Sequence, residues 1–210
     1  MSEEILLSVL VPGLPSRLPI DGENSTEHPL TEIHDQCKAK LDDKIHRPVE
    51  ILYLLDNKMM SVGRKRSILL NIAQGRYFTF VDDDDEVSDG YVDMLLAAIR
   101  EHDGVDVICF KQDCIHVQTG LIERCEYSLG YAYENGPIEG KPNERWWKGL
   151  PAHTMAWRTD LVNDIPFPDG NFGEDTAWVK LACERAKTEH RIDKVLYNYR
   201  FNEKRTETRD

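Results

Sequence analysis

Arg76-Tyr77-Phe78-Thr79-Phe80-Val81-Asp82-Asp83-Asp84-Asp85-Glu86 decides the reading of this chain. Its first half is an apolar, aromatic and β-branched run, the pattern of a buried strand. Its second half is five consecutive acids. Each carboxylate repels the next, and no Lys or Arg follows closely to neutralise them. A divalent cation with oxygen ligands would compensate such a cluster. If the backbone stays extended, Asp82 and Asp84 point to one side and Asp83 and Asp85 to the other. One pair then faces a metal and the other caps a helix starting near Ser88. The competing reading is an acidic loop that only supplies N-cap residues.

Upstream of this stretch, Ser61 reads as the N-cap of a helix from Val62 to Gln74, closed by Gly75. Its first turn holds Gly63, Arg64, Lys65 and Arg66. Cations there oppose the helix dipole and point to a nearby anion such as a phosphate, or else serve as exposed solubilising charges. Before it, Val49 to Leu55 is a buried strand ending in Asp56-Asn57. Ile5 to Val11 is another, stopped by the rigid turn from Pro12 to Arg17. Between these two strands Pro29 opens a helix, with Leu30, Ile33, Cys37 and Leu41 at helical spacing. Downstream, Val92, Leu95, Leu96 and Ile99 form the inner face of a helix ending at Asp103-Gly104. The first half is therefore β-α-β-α-β-α, a mostly parallel sheet with helices on its faces.

The pattern then changes. Val105 to Gln112 and Leu121 to Tyr127 read as a hairpin across Gln118-Thr119-Gly120. Gly130 to Arg145 is rich in Gly, Pro, Asn and acids and reads as a long loop, ended by Trp146-Trp147. Thr154 to Trp157 is a short strand, and a helical turn covers Asp160 to Asp164. Glu174-Asp175, after Gly173, opens a helix running to about His190. Val195 to Tyr199 is the last strand, and Arg200 to Asp210 is a polar tail.

The chain has 210 residues, 40% of them hydrophobic, and a formal net charge of −12. That fits one globular domain, which the change of pattern divides into a 1–104 half and a 105–210 half. The acidic balance argues against a broad nucleic-acid or anionic-membrane footprint. Five cysteines without a CxxC spacing read as reduced thiols of a cytoplasmic protein. Cys109 and Cys114 with His116 lack a second Cys/His pair and are not read as a metal site. No signal peptide is expected, and no apolar run approaches the ~20 residues of a membrane span.

Acids thus end two parallel strands, at Asp56 and at Asp82 to Asp84, on one edge of the sheet. Basic residues follow the second strand, and a further carboxylate pair follows a glycine turn. This is the chemistry of a metal-assisted site for a phosphorylated ligand, with a separate carboxylate as base.

The ordered set resembles the family 2 glycosyltransferases of GT-A fold. It consists of Ser8 to Pro12, Gly63-Arg64-Lys65-Arg66, Phe80-Val81 with Asp82 to Asp85 as the DxD element, Phe172-Gly173-Glu174-Asp175, and Leu196 to Arg200. The compact form is similar to phage-borne members. The resemblance implies a Rossmann-like sheet with a small antiparallel acceptor-side portion, and an inverting transfer from a nucleotide sugar, expected to be a UDP-sugar. It places Pro12, Gly13, Arg17, Asp56, Lys65, Arg66, Asp82 and Asp83 around the donor. Asp84 with Asp82 ligates Mn²⁺ or Mg²⁺, and four aspartates in a row leave two registers for that element. Asp175 is the general base, with Glu174 as its competitor. The second strand departs from the pattern, ending Leu55-Asp56-Asn57 where two acids and Gly-Ser are more common.

Trp146 and Trp147 stack on a sugar acceptor or anchor a loop. His153 is a metal or phosphate contact or a packed histidine. Arg200 and Arg205 are candidates for the diphosphate. The acceptor is a glycan or a hydroxymethylated DNA base. Two rival readings are a sugar nucleotidyltransferase, which would need a Gly-rich, Lys-bearing loop after the first strand, and a catalytically silent nucleotide or cation binder.

Overall fold

The computed structural model describes residues 4–15, 29–41 and 48–202. Arg17 and Arg205 lie outside them. Strand β1 (Leu7–Gly13) is buried at all seven positions. It pairs in parallel with β2 (Val49–Leu55) on one side and β3 (Tyr77–Phe80) on the other. Helix α1 (Pro29–Leu41) connects β1 to β2, and α2 (Val62–Ile72) connects β2 to β3. Ser61 is the N-cap of α2, its hydroxyl accepting from the Arg64 amide. The helix stops at Ala73, earlier than Gly75. Gly75 serves packing instead: a Cβ there would sit 2.5 Å from the Ser8 nitrogen.

The acidic run does not stay extended. Asp83 and Asp84 form a turn, closed by the Asp85 amide donating to the Asp82 carbonyl. It leads into a two-residue strand, β4 (Glu86–Val87), and then α3 (Tyr91–Glu101). The N-cap of α3 is Gly90, at φ 72°, and no acidic side chain caps it. The expected alternation survives in another form. Asp83 and Asp85 are buried, whereas Asp82 and Asp84 are partly exposed.

Beyond α3 the sheet turns mixed, with antiparallel hairpins alternating with parallel pairs. β5 (Val107–His116) pairs with β6 (Ile122–Tyr127) as the expected hairpin. Residues 130–145 are not an irregular loop. They supply β7 (Glu134–Ile138) and most of β8 (Lys141–Gly149), a second hairpin. Exposed Pro137 and buried Gly136 interrupt any apolar alternation, so pairing rather than pattern makes these strands. β9 (Ala156–Arg158) inserts between β3 and β5, and the short α4 (Thr159–Val162) follows. Helix α5 (Glu174–Arg185) ends before His190, and β10 (Glu189–Phe201) is longer than expected. β10 pairs with β4 and runs parallel to β5. The result is one mixed ten-stranded sheet among the described residues, parallel over most of its paired length.

A ring cluster fixes α5 to the sheet. Trp178 stacks on Phe167 at 4.7 Å and meets Phe78 and Trp157 edge-on. Its indole N–H donates to the Ile165 carbonyl at 3.0 Å. The start of α5 is thereby held next to the end of β3. No helix among the described residues is long and apolar enough to cross a membrane.

Candidate active site

Parallel strands deliver their C-termini to one edge of a sheet, and here that edge is acidic. At the end of β2, Asp56 accepts the Met60 amide at 2.7 Å and pairs with Lys65 at 2.8 Å. Burial pushes its carboxyl up, but Lys65 and the nearby amides outweigh that and hold it below its ordinary value. Lys65 also donates to the Gly13 carbonyl at 3.1 Å, tying β1 to α2. Asp83 turns back to accept the Leu14 amide at 2.8 Å, tying β1 to the turn after β3. Pro12 and Gly13 complete this edge as the last residues of β1.

Arg66 is the hub. It is 4% exposed, so its charge requires partners. One guanidinium nitrogen donates to both Asp82 oxygens, at 2.8 and 3.0 Å, and the other to Glu174. Burial works against the guanidinium, but Asp82 and Glu174 hold its pKa above the ordinary value. Burial pushes Asp82 up as well, yet Arg66 and His153 keep it well below the usual carboxylate range. Glu174, 5% exposed, moves the opposite way, because burial outweighs Arg66. Lys65 and Arg66 are therefore neither solubilising nor unpaired, whereas Arg64 between them and the N-cap is exposed, as a solubilising charge would be. The two buried cations neutralise carboxylates within the protein.

Asp175 differs from its neighbour. Gly173 enters α5 at φ 75°, a conformation natural to glycine. The first helical turn then points Glu174 inward and leaves Asp175 accessible, its side chain 38% exposed. The Thr176 amide donates to its Oδ1 at 2.6 Å. His153, on the segment between β8 and β9, lies between the two acidic groups. Its Nε2 is 3.8 Å from Asp82 and its Nδ1 3.6 Å from Asp175. Nε2 is buried without a hydrogen-bond partner among the described residues.

Tyr197 was not singled out as a site residue from the sequence. Its hydroxyl accepts the Asp82 amide at 3.1 Å and donates to Asp85 at 2.7 Å. Asp85 also accepts the Arg200 amide at 2.8 Å. Burial, and then the Asp82 charge, push the Asp85 carboxyl well above its ordinary value. The Tyr197/Tyr199 alternation in the last strand was the available signal, but which acid it would meet depends on the β10–β4 pairing. The Arg200 side chain pairs with Glu86 at the surface.

The tryptophans stand apart from the carboxylates, on β8. Trp146 packs on Gly136, and Trp147 on Gly149, Tyr127 and Tyr133. The accessible carboxylates are thus Asp82, Asp84 and Asp175. Asp82 and Asp84 offer only oxygen, the donor that Mg²⁺ and Mn²⁺ prefer. Among the described residues no three His, Cys or acidic ligand atoms converge at this edge. That suits a cation held by one or two carboxylates and completed by ligand phosphates.

The sequence matches the family model described as Glycosyl transferase family 2 over residues 31–164. The range includes α2, the acidic turn and His153, and stops short of Glu174 and Asp175. The minor teichoic acid biosynthesis protein GgaB of Bacillus subtilis (strain 168) is 26% identical over 150 residues, which are 68% of this chain and 15% of GgaB. Residues 1–349 of S. aureus TarS, in complex with UDP-GlcNAc, match with a TM-score of 0.55 and 21% identity, over 98% of this chain and 61% of that one. The UDP complex of the same TarS fragment gives 0.56 and 18%, over 94% and 61%. The likeness to TarS is one of fold. The chain spans about 15% of the length of its curated relative.

Proposed function

The chain belongs to glycosyl transferase family 2, and on that premise we propose that it moves a sugar from a nucleotide-sugar donor to an acceptor hydroxyl with inversion. The observation that carries this reading is the His153 bridge, 3.8 Å from Asp82 and 3.6 Å from Asp175. It sets a strand-end acid for the donor opposite an accessible carboxylate from another element. Asp175 takes the proton of the acceptor hydroxyl, whose oxygen attacks the anomeric carbon. The bond from that carbon to the diphosphate oxygen breaks, and the nucleoside diphosphate leaves with the electron pair. Pro12, Gly13 and Asp56 line the donor end of the sheet. Lys65, Arg66 and Asp83 set its shape through their internal bonds. Asp84, with Asp82, would hold Mn²⁺ or Mg²⁺, which when bound stabilises charge on the leaving diphosphate.

UDP is the nucleotide we propose, supported by the UDP and UDP-GlcNAc complexes of TarS. The acceptor is a glycan. GgaB, a protein of minor teichoic acid biosynthesis, supports that class. The net charge of −12 counts against a modified DNA base. Incubation with a panel of UDP-sugars and Mn²⁺ tests the proposal, and release of UDP from at least one donor is expected. Tight UDP binding with no release from any donor would favour the silent binding module.

A further inference from the structure

The β5–β6 hairpin brings together three side chains that the acidic edge does not use. Cys114 and His116 alternate onto one face of β5, and Glu123 stands directly across from Cys114 on β6. The Cys114 sulfur is 3.8 Å from His116 Nε2, and that nitrogen is 3.2 Å from a Glu123 oxygen. One ligand atom from each lies within 4.8 Å of the other two. A tetrahedral zinc, at ~2.3 Å from sulfur and ~2.1 Å from nitrogen and oxygen, separates S from N by about 3.6 Å and N from O by about 3.4 Å. The S–N and N–O spacings need to change by only a few tenths of an ångström.

We infer that Cys114, His116 and Glu123 form a metal site, separate from the acidic strand end, for a borderline-soft divalent cation of the zinc type. A histidine–glutamate hydrogen bond accounts for two of these groups. The sulfur beside both supplies a third donor and sets the metal class, since thiolate and imidazole suit zinc while magnesium and calcium prefer oxygen alone. Binding releases the thiol proton, so affinity rises with pH until the thiolate forms readily. The three groups are half-buried, and the His116 ring packs against Phe201 of β10 at 5.2 Å. The cation would clasp the two strands of the hairpin and leave a fourth position for water. Cys109, the other cysteine of β5, alternates to the opposite face. The third ligand comes from across the turn.

Cobalt titration of the full chain under reducing conditions tests the site, because a thiolate–cobalt charge-transfer band reports only cysteine-bound metal. The wild type should give such a band, saturating at one cobalt per chain and displaced by zinc. Asp84→Ala and Cys125→Ser should keep it, and Cys114→Ser should lose it. His116→Gln should weaken cobalt binding at least about tenfold, a scale that loss of an outer-shell partner alone can reach. Absence of the band in the wild type overturns the inference, as does a band that survives Cys114→Ser. If Cys114→Ser does not fold, unchanged cobalt affinity in His116→Gln overturns it equally. None of these readouts depends on sugar transfer.

Discussion

Glu174 and Asp175 are adjacent in the chain and divided by environment. In a first helical turn they point about 100° apart. One enters the Arg66 pair and the other meets solvent and His153. Their substitutions should therefore fail in different ways. Asp175→Asn keeps size and hydrogen bonding but removes basicity, so kcat should fall by roughly 10² or more while donor binding persists. Glu174→Gln leaves the Arg66 charge with one carboxylate in a buried site. Breaking a buried pair costs about 3–5 kcal/mol when a charge is orphaned, and the remaining Asp82 contact places this variant at or below the lower end. A drop in thermal midpoint is expected for Glu174→Gln and not for Asp175→Asn. Full turnover in Asp175→Asn, with Glu174→Gln folded but dead, would falsify the assignment of the base.

Among the elements, α2 does the most to assemble the site, because Lys65 and Arg66 reach Asp56, Asp82 and Glu174 from one helical turn. The turn sits there because Gly63 abuts the segment before α5. Its amide donates to the Gly170 carbonyl at 3.0 Å, and a Cβ would lie 1.9 Å from the Pro168 carbonyl oxygen. Gly63→Ala must push these segments apart. A destabilisation of about 1–3 kcal/mol is expected from the overpacking, read by urea unfolding, together with weaker nucleotide binding as Arg66 shifts. Unchanged stability would mean that the segment moves freely. The β7–β8 hairpin carries Trp146 and Trp147, which the sequence offers either to a sugar acceptor or to packing. If its aromatic face receives the acceptor, Trp146→Ala and Trp147→Ala raise acceptor KM more than donor Kd. Variants that fail to fold would instead make the rings structural.

At the scale of the whole molecule, charge bears on how the proposed donor would be admitted. The chain carries −12, and its strand ends concentrate acids where a diphosphate would sit. Of the cations that open α2, Lys65 and Arg66 are already engaged with Asp56, Asp82 and Glu174, which leaves only the exposed Arg64 against the repulsion. UDP binding should accordingly require Mn²⁺ or Mg²⁺. Calorimetry with Mn²⁺ against EDTA checks this, and equal affinity in both would remove the metal from the proposal. In the same experiment Asp84→Ala should weaken metal-dependent binding more than Asp83→Ala, whose carboxylate serves the Leu14 amide. The reverse order would move the ligand by one position.

Much of this was legible in the chain itself. The buried β1 and β3, the Ser61 cap, the inner face of α3 and the order of acidic and basic motifs follow from local periodicity and turn chemistry, which depend on neighbours in sequence. By contrast β2, read as buried, is an edge strand fully buried only at Val49, because strand order decides which strand is covered. The β7–β8 hairpin was not legible, because Gly and Pro erase alternation and strand pairing supplied what the pattern lacked. Nor could the chain say that Arg66 would bind Asp82 and Glu174, 16 and 108 residues away. The turn at Asp83-Asp84, the Tyr197 relay and the pairing of Glu123 with Cys114 are equally hidden. Each depends on register between strands or on which face of a helix meets the sheet. Those are set when the whole core packs, because a buried charge takes its partner from whatever the fold brings within reach.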